Sequence, residues 1–287
     1  MALNEYGTLK RVAVRPARTA FAEQGRIDAQ WQSHGYHGAP DLSAALAEYE
    51  RFAEALSKAG AEVIDLPDGE DLTIDGIYAR DALLTSAEGV ILCNMGNLRR
   101  QAEPAVNAKA LAEHGIGVVG AVEGEGRIEG GDFVWLDEAT CAVGLTYRTN
   151  GEGVRQMAQL IGPDVEIQVV DLPHYKGPDD VFHLMSILSP LDKDLALVYS
   201  PLMPIGFRDW LQERGLSLVE VPEEEFAAMA CNVLALAPRH CLMLDGCPET
   251  RRRLEAAGCQ VELYRGEEIS RKGEGGPTCL TRPLVRD

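Results

Sequence analysis

Five times along this 287-residue chain a helix-forming stretch runs into a glycine, and a short apolar run follows. The first stretch is DLSAALAEYERFAEALSKAG. Asp41 stands at the N-cap position, Leu42, Ala45, Leu46, Tyr49, Phe52, Ala53 and Leu56 share one face, and Gly60 closes the helix. EPAVNAKALAEHG, GEGVRQMAQLIG, PIGFRDWLQERG and CPETRRRLEAAG repeat the pattern, ending at Gly115, Gly162, Gly215 and Gly258. The runs that follow, AEVIDLP, IGVVGAV, PDVEIQVVDLP, LSLVEVP and CQVELYRG, read as strands. Successive glycines are 55, 47, 53 and 43 residues apart. A period of roughly 50 is long enough for one supersecondary unit per repeat. LKRVAVRP, GVILCNM, DFVWL, CAVGL, LALVYSP and NVLALAP supply further strands, with no linker or low-complexity segment between units. The expectation is an α/β chain of five pseudo-equivalent units closing on itself, a single domain over residues 1–287.

Composition narrows the function classes. At 46% hydrophobic and 25% charged residues the chain is of ordinary globular make-up. Its formal net charge of -18 repels a phosphate backbone and argues against nucleic acid as a partner. The same charge favours cationic small molecules, or simply keeps the surface solvated. No apolar run reaches the roughly 18 residues that a membrane span requires, and the N-terminal residues carry no signal-peptide pattern. The seven cysteines, at 93, 141, 231, 241, 247, 259 and 279, are odd in number and scattered, as expected of free thiols in a reduced, cytoplasmic protein. His240, Cys241, Cys247 and Cys259 lack zinc-ligand spacing, GEGRIEGG does not fit a dinucleotide loop, and no G-x-S-x-G is present.

The repeat also locates chemistry. Twenty-one residues past Gly60, Gly162 and Gly258 stand Asp81, His183 and Cys279. Equivalent positions in a ring of repeats converge on its axis, so an acid, a histidine and a cysteine would meet there. Glu129, 14 residues past Gly115, joins the set at a different offset. A thiolate is a strong nucleophile, a histidine can protonate a leaving amine and then activate water, and a carboxylate can hold the histidine or a cationic substrate. Together they suffice for substitution at a carbon bearing nitrogens.

EGGDFVWLDEATCAVGLTYRTN, FHLMS, DGIYARD and GGPTCLTRPL carry a resemblance to the guanidino-group modifying enzymes of the pentein superfamily, along essentially the whole chain. These are the dimethylarginine dimethylaminohydrolases, arginine deiminases and amidinotransferases. The resemblance implies a five-bladed α/β propeller of ββαβ repeats around a central site. It implies Cys279 as nucleophile, His183 as general acid and base, and Glu129 as the carboxylate that binds substrate nitrogens and assists the histidine. It further implies Asp81 and Asp75 for guanidinium binding, Arg148 and Arg100 for the substrate carboxylate, and Asn232 near the site. The implied reaction passes through a covalent thiouronium on Cys279 and gives citrulline and an amine, with no metal or cofactor. The substrate is a guanidino or ureido amino acid, and family members are often dimers.

Departures from the family bear on the substrate. Arg80-Asp81 stands where dimethylarginine hydrolases have Glu-Asp and is more like the deiminases, yet Met185 stands where deiminases carry an aspartate two residues after the histidine. One acid fewer disfavours plain arginine and leaves an alkylated guanidine, or a neutral ureido group such as that of citrulline. An amidinotransferase ranks lower because no acceptor site is legible. The fold also serves ribosome anti-association factors, which have no use for a cysteine, histidine and acid together. Residues 17–41, with Trp31, His34, Tyr36 and His37 among glycines, read as a long loop: a lid, a subunit contact or an ordinary surface loop.

Overall fold

A computed structural model describes residues 2–178 and 180–287 of the protein. Its fifteen strands form five separate three-stranded sheets. The first joins the two ends of the chain: β1 (Leu9–Val14) lies between β2 (Glu62–Asp65) and β15 (Arg282–Arg286). The second holds β3 (Leu83–Thr85), β4 (Val90–Leu92) and β5 (Val118–Ala121). The third holds β6 (Phe133–Asp137), β7 (Thr140–Leu145) and β8 (Glu166–Asp171). The fourth holds β9 (Leu188–Asp192), β10 (Leu195–Val198) and β11 (Ser217–Glu220). The fifth holds β12 (Val233–Ala237), β13 (His240–Leu244) and β14 (Gln260–Tyr264).

Every sheet has the same connectivity. The middle strand pairs antiparallel with one neighbour and, after a helical crossover, parallel with the other. The crossover helices are Leu42–Lys58, Glu103–Glu113, Gly151–Ile161, Ile205–Glu213 and Pro248–Ala256, as the sequence predicts. Asp41 caps the first by accepting from the Ala44 amide at 2.8 Å. Each helix ends at its expected glycine, and all five glycines have positive φ, from +74° to +95°. That conformation is open to glycine at little cost, and it turns the chain out of the helix into the parallel strand.

Neighbouring sheets are stitched by buried side chains. Arg282 donates to the carbonyl of Leu83, Trp135 to Thr85, Ser189 to Cys231 and Arg286 to Ala235. Three clusters of buried apolar residues lie under the helices, each spanning more than one sheet. β3, β9, β13 and β15 are not among the strands anticipated from the sequence. β3 has three residues, and Pro190 and Pro283 lie within β9 and β15, beside irregularities in pairing register. Proline depletes a strand signal because it cannot donate to the ladder.

Residues 17–41 are not one long loop. They contain short helices at Ala17–Ala20 and Gln24–Gln30, and Tyr36 is buried. Among the described residues no helix is long and apolar enough to cross a membrane.

Candidate active site

In each unit the parallel strand that follows the crossover helix leads through a connection to the first strand of the next sheet. Just before that strand stand Asp81, Glu129, His183, Asn232 and Cys279, ahead of β3, β6, β9, β12 and β15. Four of the five are buried and Cys279 is partly exposed. The other six cysteines are buried, so Cys279 is the one accessible thiol of the seven.

His183 Nε2 donates to Glu129 Oε2 at 2.9 Å, and its Nδ1 lies 3.9 Å from Asp81 Oδ1. Glu129 Oε1 accepts from the Asn97 amide at 2.7 Å and lies 3.8 Å from an Arg148 guanidinium nitrogen. Asp81 Oδ1 accepts from the Gly131 amide at 3.1 Å, and its Oδ2 takes a 2.6 Å bond from Arg100. Burial disfavours a charged imidazole, but Asp132, Glu129 and Asp81 together outweigh it and raise His183 to about 9. It is therefore an imidazolium at neutral pH. Burial also raises Asp132, to about 6, although its oxygens accept from the Leu184 amide at 3.0 Å and the Thr146 hydroxyl at 2.7 Å.

The EGGD stretch has a reason at each position. Glu129 holds the imidazole and Asp132 caps the turn that follows His183. A Cβ on Gly130 would meet the Arg80 carbonyl oxygen at 2.2 Å, and one on Gly131 would meet His183 Nδ1 at 2.4 Å.

The glycines before Cys279 are explained in the same way. A Cβ at Gly273 would run into the Tyr78 hydroxyl at 2.0 Å, one at Gly275 into the Tyr78 ring at 2.1 Å, and one at Gly276 into Asn232 at 2.5 Å. Asn232 grips the turn: its Oδ1 accepts from the Thr278 amide and hydroxyl at 3.0 and 2.6 Å, and its Nδ2 lies 3.1 Å from Cys279 Sγ. Burial pushes the thiol above its ordinary value and the Asp81 charge adds to this, while Asn232 and Arg80 pull it down.

Cys279 and His183 line one cavity of about 90 Å³, with Asn232, Gly131 and Arg80. The same cavity is lined by Met185, Phe226, Met229, Phe182 and Tyr175, and by Lys176, Asp180 and Glu274. Asp81, Glu129 and His183 each place a ligand atom within 4.8 Å of the others and so could hold a cation. The protonated imidazole competes with that use.

The protein-family description "N,N dimethylarginine dimethylhydrolase, eukaryotic" matches residues 15–286. The chain belongs to that family. In keeping with this dimethylhydrolase membership, it is 26% identical to the N(G),N(G)-dimethylarginine dimethylaminohydrolase of Pseudomonas aeruginosa, over 94% of this chain and 97% of that one. It is 28% identical to the uncharacterized protein YkgA of Bacillus subtilis, over 98% and 94%. An arginine deiminase of Mycobacterium avium is 25% identical over 78% of this chain and 64% of its own length. Among solved structures, a mutant of the Pseudomonas aeruginosa dimethylaminohydrolase complexed with citrulline superposes with a TM-score of 0.77 at 23% identity, over 98% of this chain and 100% of that one. The N-terminal domain of the cyanobacterial arginine dihydrolase ArgZ, bound to product, gives 0.78 at 17% identity, over 96% and 97%. The chain is thus a member of the pentein superfamily and an amidine or guanidine hydrolase.

Arg100 departs from expectation. Its guanidinium is buried and committed to both Glu103 oxygens, Asp81 and the Tyr78 carbonyl, so it holds Asp81 and presents no free fork. The adjacent Arg99 instead lines a cavity of about 910 Å³ together with Arg148, Asp75 and residues 32–35. Asp75 therefore faces that cavity and not the thiol. Arg148 is available there, since its Nε is buried without a partner. Arg80 and Asp132 lie within the DGIYARD and EGGD stretches but are given no role by the sequence, and Glu5 carries no motif signal.

Proposed function

We propose that the protein hydrolyses an N-alkylated guanidino amino acid of the methylarginine type, releasing citrulline and an amine. One arrangement carries the reading: His183, held by Glu129, and Cys279 line one cavity together with the apolar Met185, Phe226 and Met229. Met185, Phe226 and Met229 suit an N-alkyl group, and Met185 offers no acid to a bare guanidinium nitrogen at its own position, while Asp180 and Glu274 are the acids of the lining. Phe226 stacks on Tyr199 at 3.7 Å between ring centroids, which keeps this part of the lining rigid.

In this reading Cys279, as thiolate, adds to the guanidinium carbon. His183 gives its proton to the departing amine and the thiouronium carbon stays bonded to sulfur. The now neutral imidazole takes a proton from water as the water attacks that carbon, the C–S bond breaks and the ureido product leaves. Glu129 keeps the imidazole charged and oriented, Asp81 and Glu129 face the guanidinium, Asn232 seats the thiol, and Arg148 takes the substrate carboxylate bidentately. Asp75 faces the substrate's tail. The five like sheets, their capped crossovers and the stitching between neighbours support one domain closed as a five-bladed propeller, with these residues around its axis.

The test is a panel of arginine, methylarginines, agmatine, guanidino acids and citrulline, incubated with wild type and Cys279→Ser and read by mass spectrometry. Citrulline and methylamine from a methylarginine, lost in Cys279→Ser, is the expected result. Ornithine from citrulline would replace the reading with a ureidase, and turnover by Cys279→Ser would remove the covalent step.

A further inference from the structure

Arg80 grips the nucleophile's turn twice. Its amide donates to the Cys279 carbonyl at 3.1 Å and its Nε to the Thr278 carbonyl at 2.8 Å. The next residue, Asp81, lies 3.9 Å from His183, which lines the same cavity as Cys279 and Arg80. The Arg80 guanidinium is fully buried, and one of its terminal nitrogens, NH1, reaches Glu5 at 3.2 Å. The other, NH2, is buried with no hydrogen-bond partner, and Arg80 lines the cavity beside Cys279.

The charge around it does not balance. Glu5 is shared with Arg282, 3.7 Å away, and the buried Arg286 lies close enough to act on it electrostatically. Arg282 and Arg286 have unpartnered nitrogens of their own, and their bonds go to backbone carbonyls. Three buried guanidinium groups thus face one carboxylate. Asp81 is no substitute, since Arg100 already pairs with it. Uncompensated charge in a low-dielectric interior is costly, and a nearby group that can become an anion relieves it.

We infer that Arg80 is a positioning residue for this reaction: it seats the Cys279 turn, and its half-matched buried charge favours the thiolate against burial and Asp81, with Glu5 setting how much of that charge the thiol sees. The inference rests on Cys279 being the nucleophile. Other charged or titratable groups facing the thiol are Asp81, Tyr78 and Tyr264, with His183, Lys176, Asp180 and Glu274 around the cavity. The Arg80 charge therefore acts against Asp81 and beside the His183 imidazolium and Lys176.

The experiment measures Cys279 alkylation by iodoacetamide against pH, located by peptide mass spectrometry, with Cys279→Ser as blank and circular dichroism to verify folding. Arg80→Gln is expected to raise the alkylation midpoint by about one pH unit or more and to lower kcat far more than it changes KM. Arg80→Lys should restore the midpoint while kcat stays low, because the charge returns without the Nε grip. Glu5→Gln should move the midpoint the opposite way, downward, and it reads the same field if Arg80→Gln fails to fold. A folded Arg80→Gln with the wild-type midpoint, or a Glu5→Gln midpoint that does not fall, overturns the inference. Wild type whose Cys279 resists alkylation across the range defeats the nucleophile assignment itself, a separate failure.

Discussion

A Cβ atom at position 131 would lie 2.4 Å from Nδ1 of His183 and 3.0 Å from Oδ1 of Asp81, so the imidazole and the carboxylate approach across a space that only hydrogen can fill. Gly131 has no positive φ, and its requirement is one of space rather than backbone conformation. Gly131→Ala should therefore fold and push the imidazole off its place between Glu129 and the thiol. Displacement of a catalytic group by a fraction of an ångström to an ångström costs turnover on the order of 100-fold. The expected result is a kcat lower by about that factor with a Tm within a few degrees of wild type. Near-normal kcat would mean that His183 tolerates the displacement and is not the proton donor.

The Glu129–His183 pair makes a pH prediction with a definite sign. The folded-state value of His183, about 9, lies above its ordinary 6.5. The stability this contributes is fully present below pH 6.5 and is lost as pH rises through about 9. Thermal melts of wild type should fall across that window, and those of His183→Asn should be flatter there. In Glu129→Gln the alkaline limb of kcat should move to lower pH, since the bond that favours the imidazolium is gone. An unmoved limb would assign that titration to another group.

Asn232 contacts both the backbone and the sulfur of the nucleophile's turn, at Thr278 and Cys279. Asn232→Ala removes a donor to a developing thiolate and leaves the Thr278 amide and hydroxyl without their acceptor. A bond to a charged group contributes about 1.5–3 kcal/mol, which corresponds to a kcat loss of about 10- to 100-fold. Asn232→Asp restores the acceptor but not the donor and adds a negative charge beside the sulfur, so it should be the slower of the two. Iodoacetamide labelling of Cys279 at fixed pH should rank wild type, alanine and aspartate in that order, and a different order would separate Asn232 from the thiol.

Much of this site is legible in the sequence because the repeat is. Asp81, His183 and Cys279 share one offset from their glycines, and each is delivered after a long connection from a parallel strand. Glu129 and Asn232 stand at the equivalent place, but their connections are shorter, so counting from Gly115 and Gly215 places them less directly. Arg100 and Arg99 show where such reading ends. They are neighbours on one helical turn, and only the burial of Glu103 and Asp81 decides which faces inward. Glu5 is less legible still: its partners Arg80 and Arg282 are distant in sequence and meet it only because the first sheet is built from both ends of the chain.

Met185 is the position at which the proposed substrate can be tested most directly. It is buried, two residues past His183, and is one of the apolar residues lining the cavity that holds the thiol. Met185→Asp places a carboxylate where a bare guanidinium nitrogen could use it and where an N-methyl group could not. The ratio of kcat/KM for monomethylarginine over arginine should fall by at least about 10-fold, one charge-assisted hydrogen bond gained by one substrate and desolvation imposed on the other. Burial of the new acid will cost stability, so the measurement is made well below the variant's Tm, and Met185→Leu serves as the apolar control with the wild-type ratio. If Met185→Asp folds and leaves the ratio unchanged, the leaving amine does not face this residue, and the preference for alkylated guanidines has to come from another part of the cavity.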